Sequence, residues 1–253
     1  MNALVRAEVL KLRSTRMLAW LLLATLAFVV LTVVFSVPSA SATDTTLSLD
    51  EPALLARLVG DSFGVPGVTM VLLGVLAFTQ EVRYGTVSST FLVEPRRSRV
   101  LVAKGVALIL AGVAITVPTL ALSTTVTMAL IRSKDGNVTT GVQFGQVAAG
   151  VFVVMALYGL IGLAIGALVR NQIVAVVAAL VWLLAAERLL IDALPQVERW
   201  TPLGTTLGLL QLEPVGTTRG GLLDAPISGL LLAGYTTAAV ALALIVAPRR
   251  DIR

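Results

Sequence analysis

The chain has 253 residues, of which 57% are hydrophobic and 13% are charged, and its mean hydropathy is +0.95. A soluble domain carries roughly a quarter charged residues, so this composition predicts a polytopic membrane protein. The absence of cysteine and histidine excludes disulfides and thiol catalysis and removes the commonest acid–base group at neutral pH. The net charge of +5 arises from basic residues at the ends of apolar runs, which indicates membrane topology rather than nucleic-acid binding.

The first 16 residues predict a helix that lies at the inner membrane interface ahead of the first span. Apolar residues recur there at helical spacing, and Glu8 and Lys11 stand three residues apart, where their side chains can pair. Arg6, Arg13 and Arg16 add positive charge, which suits a helix in this position.

Six apolar runs follow, each of a length that can cross the ~30 Å hydrocarbon core at 1.5 Å per residue. Their approximate ranges are 17–37, 62–80, 100–131, 147–169, 172–190 and 227–247. The first run could instead be a secretory signal, but it is longer than a signal core and further spans follow. The predicted fold is therefore a single all-α transmembrane domain of six helices.

Two of these runs carry additional signals. The third would extend about 48 Å as a helix, so it protrudes or tilts, and Pro118 should kink it. Lys104 lies near its inner end and can extend toward the lipid headgroups. In the fourth run, Gly162 and Gly166 are spaced for close contact with another helix, although glycine is also simply frequent in membrane spans.

The longest charged interruption, residues 80–104, lies between the second and third runs and contains Glu81, Arg83 and the basic sequence PRRSR. A carboxylate at the end of a span is costly unless it has a partner, so we expect Glu81 and Arg83 to form a functional pair. The alternative is that both residues only cap the second span. The arginine cluster is either an anchor against anionic lipid or part of a docking site for a protein.

The same loop predicts a short amphipathic helix across the cytoplasmic mouth of the spans. Gly85 can adopt the left-handed turn that ends a helix, and Thr86 is a good N-cap for a new one. Val87 and Phe91 then share one face of that helix. Pro95 ends it, because a residue that precedes proline avoids the helical region.

The distribution of charge predicts the topology. Thirteen of the 19 lysine and arginine residues lie in the two terminal segments, the 80–104 loop and the turn at Arg170. Six spans with both termini inside place all thirteen on the cytoplasmic side, as the positive-inside rule favours. Residues 38–61 and 191–226 are then external.

The external segment before the last span has apolar residues that are hard to justify on a solvated loop. We expect it to fold back to the membrane surface and to cover the outer exit. Glu187 and Arg188 lie near the outer end of the fifth span, where they could form a gate or simply mark the end of the helix.

No P-loop sequence and no metal-ligand or nucleophile–base pattern occurs in the chain. It is therefore not expected to be an enzyme by itself or to bind a cofactor.

Two motifs resemble the ABC-2-type permease family, a group of membrane subunits of ABC exporters with a type V-like fold. One is ExxKLRS at residues 8–14, ahead of the first span. The other is ExRxGT at residues 81–86, followed by PRRSR at 95–99 and by Lys104. The layout of six spans, with an external segment before the last one, agrees with this resemblance over the whole chain.

The resemblance implies that the loop between spans two and three carries a coupling helix that docks on a separate ATPase. The ATPase-coupling residues would be Glu81, Arg83, Gly85, Thr86, Val87, Phe91, Pro95, Arg96, Arg97 and Lys104. The interfacial helix would touch the same ATPase through Glu8, Lys11 and Arg13. ATP and Mg²⁺ would bind the partner ATPase and not this chain.

The sequence therefore leads us to expect the permease subunit of an ATP-driven exporter in a bacterial plasma membrane. Two permeases, identical or paralogous, would assemble with two ABC ATPase subunits within membrane lipid. The apolar spans, with scattered serine and threonine, favour an amphipathic or hydrophobic substrate such as a drug, antibiotic or lipid-like molecule. The alternatives are an ATP-independent secondary transporter or channel, and a membrane scaffold or sensor that transports nothing.

The topology can be tested by labelling, because the chain contains no cysteine. In intact cells we expect a membrane-impermeant maleimide to label Thr45→Cys, in the predicted external loop, and to spare Ser88→Cys. Permeabilised cells should show labelling at both positions. Labelling of Ser88→Cys in intact cells would contradict the topology.

Overall fold

The computed structural model describes residues 1–42, 52–86, 96–134, 141–212 and 221–249. Every regular element in that part of the chain is a helix. In chain order the helices are α1 (Asn2–Ser14), α2 (Arg16–Ala42), α3 (Pro52–Asp61), α4 (Gly64–Arg83), α5 (Arg97–Arg132), α6 (Val142–Val169), α7 (Gln172–Val181), a π-helical turn (Trp182–Ala186), α8 (Glu187–Ala193), a 3-10 helix (Pro195–Trp200), α9 (Pro202–Leu210) and α10 (Ala225–Arg249).

Six helical stretches are long and apolar enough to cross a membrane, as the sequence predicts. They are Arg16–Ser36, Leu54–Arg83, Ser98–Arg132, Val142–Val169, Gln172–Ala193 and Ala225–Val246. More than half of the second, third and fourth is buried within the chain, whereas only 17% of each of the others is. Helices α4, α5 and α6 therefore form the core, and α2, α7–α8 and α10 surround it.

Helices α4 and α6 pack with their backbones nearly in contact. A Cβ atom added to Gly162 would overlap the carbonyl oxygen of Val71, and one added to Gly166 would lie 2.7 Å from the carbonyl oxygen of Val75. Gly74, on α4, faces the backbone of α6 in the same way. The close contact expected at Gly162 and Gly166 is thus present, and its partner is α4.

The fifth span is interrupted by a π-helical turn that the sequence did not predict. This turn covers Trp182–Ala186 and separates α7 from α8. A π-turn inserts one residue into the helical repeat, so the side chains that follow it point in a new direction. Glu187, the first residue after the turn, is only 1% exposed, whereas Trp182 and Leu184 are about half exposed.

The two ends of the helix bundle differ in character. The basic end contains α1, the end of α4, the start of α5 and the tight turn between α6 and α7, where the Asn171 side chain caps α7 by accepting from the amides of Ile173 and Val174. The far end contains α3 and α9. Helix α5 runs between them and continues through Pro118 as one helix.

The described residues of the segment before the last span pack onto the bundle. Thr201 caps α9 by accepting a hydrogen bond from the amide of Gly204 at 3.1 Å. Leu210 and Leu212 are buried at 4% and 5% exposure. The Tyr235 hydroxyl, on α10, donates to the carbonyl oxygen of Trp200 at 2.6 Å, so this segment is fixed to the last span.

The close packing of α4 on α6 gives a stability prediction. Gly162→Ala places a methyl group against the backbone of Val71, and such overpacking costs about 1–3 kcal/mol or more. We expect a lower unfolding temperature for this variant in detergent. Gly234→Ala is the matched control, because nothing lies within 4 Å of the added Cβ. An equal unfolding temperature for both variants would contradict the packing.

Candidate functional site

Four charged side chains meet at the basic end and form what we call the ion cluster: Glu8 and Lys11 from α1, Glu81 from α4 and Lys104 from α5. Lys104 Nζ donates to Glu8 Oε2 and to Glu81 Oε1, each at 2.7 Å. Lys11 Nζ donates to Glu8 Oε1 at 2.9 Å and to the same Glu81 oxygen at 2.8 Å. The cluster is neutral and joins three helices.

Lys104 does not extend toward the headgroups as expected from the sequence. It is 3% exposed and lies between two carboxylates. The physical reason is that both of these carboxylates are themselves largely buried, with side chains 8% and 14% exposed. A buried cation and buried anions each carry a desolvation penalty, which only close mutual pairing offsets.

Lys11 closes the cluster on its solvent side, where its side chain is 48% exposed. Burial alone lowers the pKa of Lys11, but hydrogen bonds and charge attraction from Glu81 and Glu8 outweigh it and raise the pKa above its ordinary value of 10.5. A raised pKa means that the folded state favours the ammonium form. The resulting stabilisation is present at neutral pH and is lost only as the pH rises above about 10.5.

Local structure places each member of the cluster. Glu8 and Lys11 are three residues apart on one helix, so both face the same neighbours. Glu81 lies in the last turn of α4, which ends as predicted with Gly85 in the left-handed region at φ +68°. The amide of Thr86 donates to the carbonyl oxygen of Glu81 at 3.0 Å, and the amide of Gly85 donates to that of Val82. This is the Schellman pattern.

Glu81 and Arg83 do not pair with each other. The side chain of Glu81 is occupied by the two lysines. Arg83 instead donates to Gln172 Oε1 at 3.2 Å, and its guanidinium lies 5.8 Å from the centre of the Tyr84 ring. The carboxylate of Glu81 therefore has partners, as expected for a carboxylate at the end of a span, but these partners come from α1 and α5.

Some of the other residues predicted to contact the ATPase lie in the described part of the chain. Thr86 has its hydroxyl 3.5 Å from the carbonyl oxygen of Glu81. Arg96 is exposed directly before α5, and Arg97 is the first residue of that helix. Arg13 is exposed on α1, on a different face from Glu8. Val87, Phe91 and Pro95 lie outside the described residues, so the predicted amphipathic helix has no structural description.

A cavity of about 560 Å³ lies against the ion cluster. Its walls combine the four charged residues with apolar positions from the same three helices, Leu12, Ala77 and Ala107 among them. The cavity therefore borders the ion cluster on all three helices. Within the described residues, no group of three metal-ligating side chains occurs.

At the far end, Glu187 is buried and Oε1 accepts a hydrogen bond from the backbone amide of Leu203 at 2.6 Å. Leu203 belongs to the first turn of α9, where backbone amides favour a negative charge. Glu187 therefore ties the fifth span to the folded-back segment. Glu187 and the exposed Arg188, which are adjacent in the chain, both line a cavity of about 430 Å³, and their role as a gate stays a prediction.

Two contacts between hydroxyl groups on different helices were not predicted from the sequence. The hydroxyls of Tyr158 and Thr206 lie 2.9 Å apart and join α6 to α9 beside the far cavity. Ser62 and Ser123 are 2.7 Å apart between the far ends of the second and third spans. Serine and threonine are common in apolar helices, so the sequence does not indicate which of their hydroxyl groups form contacts between helices.

The ion cluster makes a graded stability prediction. Lys104→Met leaves Glu8 and Glu81 without their buried cation, and breaking such a pair costs about 3–5 kcal/mol. Lys11→Met removes only the half-exposed cation, so we expect a smaller fall in unfolding temperature in detergent. Adding Glu81→Gln to Lys104→Met should recover part of the loss, because one uncompensated charge is removed. Equal losses for the two lysine variants would contradict this account of the cluster.

Comparison with known proteins places the chain in a family. No curated protein matches it. A family model described as ABC-2 family transporter protein matches residues 4–186. The match covers well over half of the chain, from α1 to the end of the π-helical turn, and it includes all four residues of the ion cluster. This chain of six apolar spans therefore belongs to the ABC-2 transporter family.

Proposed function

We propose that this chain is the permease subunit of an ATP-driven exporter in a bacterial plasma membrane. Family membership supports a permease that associates with ABC ATPase partners in general. The observation that carries the proposal is the ion cluster, which joins α1 to both helices that flank residues 87–95. In this proposal the ATPase is a separate chain, which binds ATP and Mg²⁺, and the permease itself binds no cofactor.

The ion cluster would act as the joint between the ATPase and the spans. The loop of residues 87–95 leaves α4 just after Gly85 and enters α5 at Arg97. In this proposal, displacement of that loop by the ATPase moves the end of α4 and the start of α5. Lys104 links these two helix ends to Glu8 on α1, so the three helices would move together. This proposal places the basic end in the cytoplasm, as the positive-inside rule favours.

The far cavity would form part of the exit path. It has a volume of about 430 Å³ and is lined mainly by apolar side chains, with hydroxyls from Tyr158 and Thr206 and charges from Glu187 and Arg188. Such a mixture suits an amphipathic or hydrophobic substrate, of the drug, antibiotic or lipid-like class. The link from Glu187 to Leu203 would hold α9 over this cavity and release when the exit opens.

The working unit would contain two permeases and two ATPases. Large apolar side chains remain exposed on all three surrounding spans, for example Phe35 on α2 at 70%, Ile173 on α7 at 71% and Leu230 on α10 at 74%. A second permease, identical or paralogous, would cover part of this surface, and membrane lipid would cover the rest.

Docking on the ATPase is tested by Phe91→Ala in host cells of the native source, from which the tagged chain is purified with any bound ABC ATPase. Loss of an aromatic anchor costs about 2 kcal/mol or more at an interface, so we expect at least a tenfold loss of copurified ATPase, together with loss of export. Phe152→Ala is the matched control, because Phe152 is a partly exposed aromatic residue of α6 outside the apolar surface of the surrounding spans, and this variant should retain both. Absence of any copurified ATPase with the wild-type chain would favour an ATP-independent transporter instead.

Coupling is tested separately at Glu81. Glu81→Ala removes the carboxylate that both lysines of the ion cluster share but leaves the predicted docking helix unchanged. We expect an assembled complex that still hydrolyses ATP and exports a panel of amphipathic fluorescent compounds poorly. Tyr84→Phe, three residues away at an exposed position outside the ion cluster, serves as the comparison for local disturbance at the end of α4. Export by Glu81→Ala at the wild-type rate would contradict the coupling role.

A further inference from the structure

Helices α1 and α5 enclose an apolar groove on the side of α1 that is turned away from the ion cluster. We call it the α1–α5 groove; its volume is about 510 Å³, and its walls include Val5 and Val9 from α1 and Val106 and Leu110 from α5. Val106 is 37% exposed and Leu110 is 51% exposed. The groove is therefore open, and its floor is built of aliphatic side chains.

Two arginines stand at this groove. Arg6 and Arg13 both line it, and they are seven residues apart on α1, so they lie on one face about 10.5 Å apart along the helix. Both are exposed, and neither has a hydrogen bond or ion pair within the part of the chain that the structure describes. The nearby carboxylates of Glu8 and Glu81 are already occupied by lysines. Among the described residues, the two guanidinium groups therefore have no counter-charge.

The apolar surface continues from the groove along α5. Val113 and Val117 follow Leu110 at helical spacing, and they are 45% and 53% exposed. Helix α1 immediately precedes the first span, so the arginines lie at the level of the membrane surface while this strip extends into the bilayer. The combination of surface cations and an adjoining apolar strip matches the shape of a phospholipid.

We propose that the α1–α5 groove binds an anionic phospholipid. The headgroup phosphate accepts hydrogen bonds from Arg6 and Arg13, since guanidinium groups pair well with phosphate oxygens. One acyl chain lies against Val106, Leu110 and Val113. A soluble anion has no hydrocarbon chain that could pack against the apolar strip. A protein docked on the cytoplasmic loop would not reach into the hydrocarbon. The inference does not depend on the proposed ATP-driven function.

The test is titration of the purified full chain with phosphatidylglycerol or phosphatidylcholine, read out by native mass spectrometry. We expect the wild-type chain to prefer phosphatidylglycerol. A basic residue near an anionic lipid surface contributes about fivefold in affinity, so Arg6→Gln and Arg13→Gln should each weaken phosphatidylglycerol binding about fivefold. The double variant should weaken it about 25-fold, with little change for phosphatidylcholine. Arg16→Gln is the matched control, since it removes the same charge nearby but outside the groove lining.

A second variant probes the apolar half of the site without changing charge. Val106→Trp fills the groove and should weaken phosphatidylglycerol binding, whereas Val153→Trp, at an exposed position on α6, should not. The unfolding temperature of each variant shows whether it folds. If the double variant does not fold, the two single arginine variants provide the test.

Three results would overturn the proposal. The first is equal affinity of the wild-type chain for both lipids, which would indicate ordinary annular lipid. The second is displacement of phosphatidylglycerol by inorganic phosphate, which would indicate a simple anion site. The third is loss of copurified ATPase from Arg13→Gln with unchanged lipid affinity, which would assign that arginine to ATPase docking.

Discussion

A lysine ammonium that is 3% exposed lies between two carboxylates where α1, α4 and α5 meet. Taking such an ion out of water carries an effective penalty of several kcal/mol, and only partners at close range offset it. The positions of Glu8, Glu81 and Lys104 therefore depend on one another, because moving one helix leaves a buried charge without its partner. The cost of breaking these contacts disfavours other arrangements of the three helices, and in the proposed mechanism a loop that shifts α4 against α5 would act directly on them.

The sequence predicted the features that are encoded locally. Hydropathy identified six spans, and Gly85 was identified as the left-handed residue that ends α4. The Glu8–Lys11 pair of the ion cluster was predicted and is present. Its contacts between helices were not predicted, although all four residues had been singled out, because Lys104 meets Glu8 across 96 positions of the chain. Seen alone, a lysine near a span end suggests extension toward the headgroups. The π-helical turn was missed because no residue pattern in the fifth span marks it.

The contacts also define which parts of the bundle move together. Helices α4 and α6 meet backbone to backbone at Gly162 and Gly166, and without intervening side chains neither helix can slide without atomic overlap. The same α6 helix carries Tyr158, whose hydroxyl contacts Thr206 on α9. A displacement that enters at Glu81 is therefore expected to carry α4 and α6 as one body and to reach the folded-back segment at the far end.

Helix α1 presents two faces that both enter the proposed mechanism. One face presents Glu8 to the ion cluster, and another presents Arg6 and Arg13 to the α1–α5 groove. Helix α1 packs against α5, so a phospholipid in the groove would hold α1 against α5 on one side while the pair of Lys104 with Glu8 holds it on the other. Lipid occupancy and loop movement would then act on the same joint. Membrane composition would set how easily the loop displaces α1, without any contact between lipid and ATPase.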